Sequence, residues 1–109
     1  MPSFYLKIAG VTFDGRQELI SRLAMSGKLK TGTLLRLVPD PRNPYDPNAV
    51  KVVTMSGDIL GFIPKQYNSQ IAMNLRRGQQ YKVTVSQVTG GFDDDFGGGN
   101  YGINIMLEY

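Results

Sequence analysis

The sequence of 109 residues contains neither cysteine nor histidine. Without cysteine, the chain can form no disulfide and no thiolate metal site. Without histidine as well, the Cys–His and Ser–His catalytic pairs and most zinc or copper sites are excluded. Carboxylate-based catalysis remains possible, but binding becomes the leading class, so we predict a binding module that is not an enzyme and carries no cofactor.

Long hydrophobic runs are also missing, and no stretch of about 18 apolar residues could span a membrane. Residues 1–10 lack the basic-then-apolar plan of a signal peptide. We therefore expect a cytoplasmic protein with no membrane partner. The length and the hydrophobic content of 41% predict one folded domain over residues 1–109.

The charge is modestly basic. Twelve lysines and arginines face nine acids, which gives a net charge of +3. Three of the acids are consecutive, namely Asp93, Asp94 and Asp95, so the rest of the chain is more basic than the total indicates. Such a balance suits a polyanionic partner without establishing one.

Hydrophobic periodicity divides the chain into six short strands and two helices. The strands are predicted at residues 4–8, 33–38, 48–55, 59–64, 79–88 and 101–109. One helix is predicted between a turn at residues 14–15 and Gly27, and the other between Pro64 and Gly78. Short strands in this order predict a mostly β fold, a small antiparallel barrel whose openings are flanked by the two helices.

Two details of that plan can be checked in the structure. In the second helix, Tyr67, Ile71 and Leu75 recur at helical spacing and are expected to form the buried stripe. Residues 90–100 are rich in glycine and aspartate and predict a mobile hairpin loop. The acids at 93–95 lack the alternate spacing and the closing glutamate of an EF-hand, which argues against a cation loop.

The segment NPYDPNAV, residues 43–50, places a tyrosine and a carboxylate inside a stiff turn. In a structural interpretation, Asn43 makes an Asx-turn, Asp46 caps its own backbone and Tyr45 tucks its ring over the barrel mouth. In a functional interpretation, the prolines hold Tyr45 and Asp46 still, so that the ring stacks on a base and the carboxylate accepts a hydroxyl hydrogen bond. The residues alone leave both interpretations open.

Three further side chains are candidates for the same site. Phe13 is an apolar ring in the loop before the first helix, where it either staples that helix or offers a second stacking surface. Arg16 and Lys65 stand at the two predicted helix starts, where free N–H groups and the helix dipole favour an anion. Each is therefore a candidate phosphate ligand.

The order of IAGVTFDGRQ (residues 8–17), NPYD (43–46) and GFIP (61–64) resembles the HIRAN domain family, over roughly residues 4–90. The resemblance implies an OB-like barrel of six strands with two helices. It also implies capture of the 3′ end of single-stranded DNA, with the terminal base between two aromatic rings and a carboxylate on the 3′-hydroxyl. HIRAN domains occur fused to DNA-repair helicases and other nucleic-acid enzymes, so a role in repair or replication-fork processing beside a helicase or nuclease is expected.

The resemblance also implies a role for individual residues. The residues matched by the family motif are the rings Tyr45 and Phe13, the hydroxyl acceptor Asp46, the phosphate-binding Lys65 and the first turn residue Asn43. Phe62 stands where DNA-binding relatives carry a polar side chain that touches the DNA backbone. Thr12 and Asp14 replace an arginine and a tyrosine beside the first ring, which is expected to weaken phosphate binding.

Two other functions compete with DNA-end binding. The same aromatic turn could dock a peptide, in which case the basic body is incidental. A metal-dependent enzyme could combine Asp46 with the acids at 93–95, but these acids lie on separate loops and no histidine assists them. We therefore favour single-stranded DNA as the partner.

Overall fold

The computed structural model describes residues 2–91 and 100–109. The predicted loop at 90–100, with Asp93, Asp94 and Asp95, therefore lies mostly outside the described residues. The elements in chain order are β1 (Ser3–Lys7), α1 (Arg16–Met25), β2 (Leu34–Pro39), β3 (Val50–Thr54), β4 (Ile59–Phe62), α2 (Lys65–Arg76), β5 (Lys82–Thr89) and β6 (Gly102–Glu108). Their order and number agree with the prediction, and their ends differ from it by at most three residues.

The six strands form one antiparallel sheet in the order β1-β6-β5-β2-β3-β4. The two edge strands of this order approach each other just beyond β1. There Ala9 and Phe62 exchange two backbone N–H···O bonds of 2.8 Å each. The sheet consequently curls into a half-barrel, which confirms the predicted mostly β class.

Gly61 allows this closure. A Cβ atom at position 61 would collide with the carbonyl oxygen of Ala9. Any larger residue would therefore push the β4 backbone away from the segment that follows β1, and the edge-to-edge bridge at Phe62 would be strained. The bridge also fixes the backbone of Phe62, which lies between two segments that carry predicted site residues.

The core lies inside the curled sheet and under the two helices. Alternating residues of β3, β5 and β6 point inward, as period-2 patterning predicts. The largest fully buried side chains are Ile20, Leu60, Ile103, Ile105, Leu107, Val50, Val52, Val83 and Val85. Within residues 2–91 and 100–109, no helix has the length and apolar character needed to cross a membrane.

The second helix turns a different face inward from the one predicted. Ile71 is buried and Leu75 is half-buried against the core, as expected, but the prediction for Tyr67 is wrong because that residue is 39% exposed. Its ring packs at the rim of the half-barrel, with its centroid 6.2 Å from that of Phe4. Asn68 takes the inward place instead. A polar side chain does so only where it finds a hydrogen-bond partner.

Candidate nucleic-acid interface

The turn between β2 and β3 is held by its own side chains. The Asn43 Oδ1 atom accepts hydrogen bonds from the backbone N–H groups of Tyr45, at 2.9 Å, and Asp46, at 3.1 Å. The Asp46 Oδ1 atom accepts one from the N–H of Asn48 at 2.8 Å. The Asn43 amide in turn donates to the carboxylate of Asp40 at 3.1 Å. The predicted Asx-turn at Asn43 and the backbone cap by Asp46 are therefore confirmed.

The ring of Tyr45 projects from this rigid turn into solvent. The residue is 93% exposed, so the prediction that its ring covers the barrel mouth is wrong. The backbone beneath it is fixed by Asn43, and Pro44 and Pro47 flank it in sequence. A free ring on a stiff backbone loses little conformational entropy when a flat partner stacks on it.

Asp46 lies beside that ring with both carboxylate oxygens engaged. Its Oδ2 atom accepts a hydrogen bond of 2.7 Å from the side-chain amide of Asn68 in α2. The Asn48 N–H and the Asn68 amide, in that order, hold the pKa of Asp46 below its ordinary value of 3.8, and the positive charge of Lys65 acts in the same direction against partial burial. Asp46 is thus a fixed, ionised acceptor. Each oxygen retains a further lone pair for a ligand.

The loop before α1 presents the second candidate ring. Phe13 is 65% exposed, so most of its surface is free of the helix that follows. The loop backbone is short and turned, with hydrogen bonds from the Phe13 N–H to the Gly10 carbonyl at 3.4 Å and from the Arg16 N–H to the Phe13 carbonyl at 3.0 Å. Asp14 and Gly15 both adopt positive φ, which brings the chain directly into α1.

Arg16 is enclosed by this loop and by Phe62. Only 12% of its side chain is exposed, and its Nη1 atom donates to the Gly10 carbonyl at 2.7 Å. The guanidinium carbon lies 5.1 Å from the centroid of the Phe62 ring, within the range of a cation–π contact. The ion pair with Asp14 is longer, at 3.5 Å, and faces solvent on the Asp14 side. Arg16 therefore ties the Phe13 loop to the end of β4.

Lys65 is exposed at the first position of α2. No side chain caps this helix end, because its N-cap residue is Pro64. The uncapped N–H groups, the helix dipole and the lysine charge all favour an anion at this place. The positive charge of Lys65 also acts to lower the pKa of Asp46, so the cation lies on the same side of the domain as the acceptor.

The candidate residues thus form two groups joined through β4. Asn43, Tyr45, Asp46 and Lys65 cluster where the β2–β3 turn meets the start of α2. Phe13, Arg16 and Phe62 cluster where the first loop meets the end of β4. Phe62 and Lys65 are three residues apart in the chain. Among the described residues, neither Phe13 nor Tyr45 stacks on another ring.

Comparison with known proteins identifies the family of this chain. A family model of the HIRAN domain matches residues 1–93. The chain belongs to the HIRAN domain family. HIRAN domains are nucleic-acid-binding modules that are known to bind DNA. No curated protein matches the chain.

Two solved structures share the fold of this HIRAN domain. The HIRAN domain of human HLTF superposes with a TM-score of 0.66 at 19% identity, covering 96% of this chain and 72% of the other. A protein from Lactobacillus plantarum superposes with a TM-score of 0.62 at 20% identity, covering 99% of this chain and 100% of the other. At these identities the similarity concerns the fold.

Two side chains of the site were missed by sequence reasoning. Asn68, the hydrogen-bond donor to Asp46, is a polar residue three positions before the buried Ile71, and that placement on an apolar helix face was the available signal. Lys51 lies directly opposite Phe62 in the β3–β4 ladder and is half-buried. The alternation of β3 places Lys51 outward between the inward-facing Val50 and Val52, and this pattern could have indicated it.

A concavity of the HIRAN domain lies at the rim of the half-barrel, against α2. It encloses about 180 Å³ and is lined by Phe4, Gln66, Tyr67, Gln70, Ile71, Asn74, Tyr81 and Tyr109. None of the predicted site residues lines it, and its lining carries no charged side chain. The DNA-binding prediction therefore concerns a different surface.

The metal-enzyme alternative requires several carboxylates close together. Across residues 2–91 and 100–109, no three carboxylates come together in a group that could hold a metal ion. The two carboxylate oxygens of Asp46 instead accept hydrogen bonds from the Asn48 N–H and the Asn68 amide. The acids at 93–95, which the metal-enzyme alternative requires, lie outside the described residues.

Proposed function

We propose that this HIRAN domain binds single-stranded DNA at a free 3′-hydroxyl end and performs no chemistry of its own. The observation that carries the proposal is the pairing of Tyr45 with Asp46. One is an exposed ring on a hydrogen-bonded backbone, and the other is an ionised acceptor held by hydrogen bonds from the same turn and from α2. A terminal nucleotide offers a flat base to the first and a hydroxyl donor to the second.

The aromatic rings supply the sequence-independent part of the binding. In this proposal Tyr45 stacks on one face of the terminal base and Phe13 on the other. Both rings are largely exposed, and each sits on a hydrogen-bonded turn. Base–aromatic stacking contributes about 1–3 kcal/mol per base, and every base presents a π-face. The terminal base is therefore held without regard to sequence.

The phosphates bind at the start of α2. Lys65 and the uncapped helix end attract the phosphate next to the terminal nucleotide. Lys51, on the neighbouring strand β3 and opposite Phe62, adds positive charge near the end of β4. Arg16, whose guanidinium donates to the Gly10 carbonyl and lies over the Phe62 ring, supports the loop that presents Phe13 in this proposal, while its phosphate contact stays a prediction.

Asp46 decides which end is bound. A carboxylate repels phosphate, so its position between Tyr45 and Lys65 favours a ligand that offers it a hydrogen-bond donor. A 3′-hydroxyl is such a donor, and a hydrogen bond to a charged group contributes about 1.5–3 kcal/mol. A 3′-phosphate lacks that donor and brings like charge close to Asp46. The two ends are expected to differ more than tenfold in affinity.

The test compares four short oligonucleotides of one sequence by fluorescence anisotropy at a fixed salt concentration. One strand ends in a 3′-hydroxyl, one ends in a 3′-phosphate, one exposes only its 5′ end, and one is a blunt duplex. The proposal requires the 3′-hydroxyl strand to bind most tightly. Equal affinity for the 3′-hydroxyl and 3′-phosphate strands would overturn it.

Asp46→Asn connects the preference to the residue. Asparagine keeps an oxygen for the Asn48 N–H and removes the negative charge, so the variant is expected to tolerate the 3′-phosphate and lose most of the preference. Asp58→Asn is the matched control, since it removes the same charge at the far end of the β3–β4 hairpin, where Asp58 bonds to Thr54. The control is expected to keep the wild-type preference.

The salt dependence separates this proposal from the peptide-docking alternative. Phosphate binding releases counterions, so DNA affinity must fall steeply as salt rises.

A domain that holds a 3′ end without acting on it would serve an enzyme that processes that end, such as a helicase or nuclease in DNA repair. The test is whether such an enzyme co-purifies with this domain after nuclease has removed the DNA. Loss of the enzyme on nuclease treatment would argue against a direct partnership between the two proteins.

A further inference from the structure

Asn68 is an unusual side chain for the interior of this protein. It is 5% exposed, and among the described residues it is the one buried polar or charged residue. It lies on the inward face of α2 beside Ile71 and Ala72. A buried carboxamide in an apolar setting lowers stability unless its polar atoms are bonded, so this position calls for an explanation.

Its partner is the candidate hydroxyl acceptor. The Asn68 Nδ2 atom donates to the Asp46 Oδ2 atom at 2.7 Å, across the gap between α2 and the β2–β3 turn. The other carboxylate oxygen is held by the Asn48 N–H at 2.8 Å. With one donor on each oxygen, the carboxylate cannot rotate about its χ2 torsion without breaking a hydrogen bond. Its remaining lone pairs therefore point in fixed directions.

We propose that Asn68 is a positioning residue that sets the end selectivity of the site by holding the carboxylate of Asp46 in the orientation that a 3′-hydroxyl requires. Asn68 itself is buried and does not touch the DNA. The inference rests on the proposed function, because it assigns a task to Asp46. It adds that the selectivity originates in α2, outside the turn motif.

A merely structural role for Asn68 predicts something different. If the hydrogen bond only docks the turn on the helix, then loosening it alters the affinity for every strand by one common factor, or alters thermal stability alone. If the bond orients Asp46, its loss weakens the 3′-hydroxyl complex and leaves the 3′-phosphate complex nearly unchanged. The ratio of the two affinities is therefore the diagnostic quantity.

The test uses Asn68→Leu, which removes the donor and keeps a side chain of similar size for the apolar surroundings. The matched control is Asn74→Ala, on another face of the same helix, where the amide donates to the Tyr81 hydroxyl at 2.8 Å. We expect Asn68→Leu to reduce the ratio of 3′-hydroxyl to 3′-phosphate affinity about fivefold, the factor that corresponds to the loss of one hydrogen bond. Asn74→Ala is expected to keep the ratio of the wild type.

The outcomes separate the two proposals. If the wild type distinguishes the ends and Asn68→Leu does so equally well, or weakens both complexes by one factor, the role of Asn68 is overturned and the proposed function stands. If the wild type does not distinguish the ends, both fail. Should Asn68→Leu not fold, as judged by circular dichroism, Asn68→Ala removes the same donor without adding bulk, and the same ratio decides.

Discussion

Replacing Arg16 distinguishes a structural support from a phosphate ligand. Its guanidinium donates to the Gly10 carbonyl at 2.7 Å and lies over the Phe62 ring at 5.1 Å. A hydrogen bond from a charged donor contributes about 1.5–3 kcal/mol, and a partly desolvated cation–π contact contributes about 0.5–2 kcal/mol. The exposed ion pair with Asp14 adds little. Arg16→Met, which keeps the aliphatic stem, is thus expected to lower the free energy of unfolding by about 2–5 kcal/mol.

The assay pairs chemical unfolding with a salt titration of DNA affinity. Arg22→Met is the control, since Arg22 is exposed in the last turn of the same helix and its loss removes the same charge. That control is expected to stay within about 0.5 kcal/mol of the wild type. Arg16→Lys keeps the charge but loses the planar group, so it should not restore stability.

The salt titration supplies the refuting result. A phosphate ligand contributes about 0.7 to the slope of log affinity against log salt for single strands. If Arg16→Met unfolds like the wild type and its slope is smaller by about that amount, Arg16 binds phosphate and does not support the loop. Recovery of full DNA affinity in Arg16→Lys would point the same way, because a lysine can replace the charge but not the stacked plane.

Three other changes test the remaining parts of the site. Tyr45→Ala and Phe13→Ala should each weaken DNA binding by about 1–3 kcal/mol with little effect on stability, because both rings are exposed; full affinity of the double variant would contradict the base sandwich. Lys65→Ala should weaken all single strands about equally and reduce the salt slope by about 0.7, and an unchanged slope would make it an ordinary surface residue. Because folding lowers the pKa of Asp46, its ionisation stabilises the fold fully above 3.8, and this contribution disappears as the pH falls through the lower folded pKa; the stability of the wild type relative to Asp46→Asn should therefore decline only below about pH 4, as urea unfolding at several pH values would show.

The strands were predictable because their signal is local. In β6, Ile103, Ile105 and Leu107 alternate with more polar neighbours and are all fully buried in the structure. The turn chemistry was equally local, since an Asx-turn needs only the side chain of Asn43 and the backbone two and three residues later. Such features depend on a few consecutive residues, so the sequence states them directly.

The inward face of α2 was not predictable in the same way. Tyr67 and Asn68 are adjacent, and helical spacing to Ile71 and Leu75 favours the aromatic ring as the buried member. The structure reverses this choice because the Asp46 carboxylate, 22 residues earlier in the chain, offers the Asn68 amide a partner. The ring of Tyr67 meanwhile finds Phe4 at the rim. Long-range contacts of this kind decide between neighbouring residues, and no periodicity contains them.

The contacts of Arg16 were not predictable from the sequence for a related reason. A basic residue at a helix start is equally compatible with an anion site and with an internal support. The cation–π contact of Arg16 depends on the Ala9–Phe62 bridge, which brings the Phe62 ring from the other edge of the sheet beneath the guanidinium. The curl of the half-barrel therefore gives Arg16 its partner.

The structural and functional interpretations of NPYDPNAV turn out not to exclude each other. A carboxylate that only caps a turn needs one acceptor oxygen, and the Asn48 N–H satisfies that need. Asp46 receives a second donor from another element, at the cost of a buried amide in the apolar face of α2. Capping the turn does not require this buried amide, whereas holding an acceptor in one orientation toward a ligand does. If Asn68→Leu proves as stable as the wild type yet loses end selectivity, the second donor exists for the ligand and the turn is the frame that presents it.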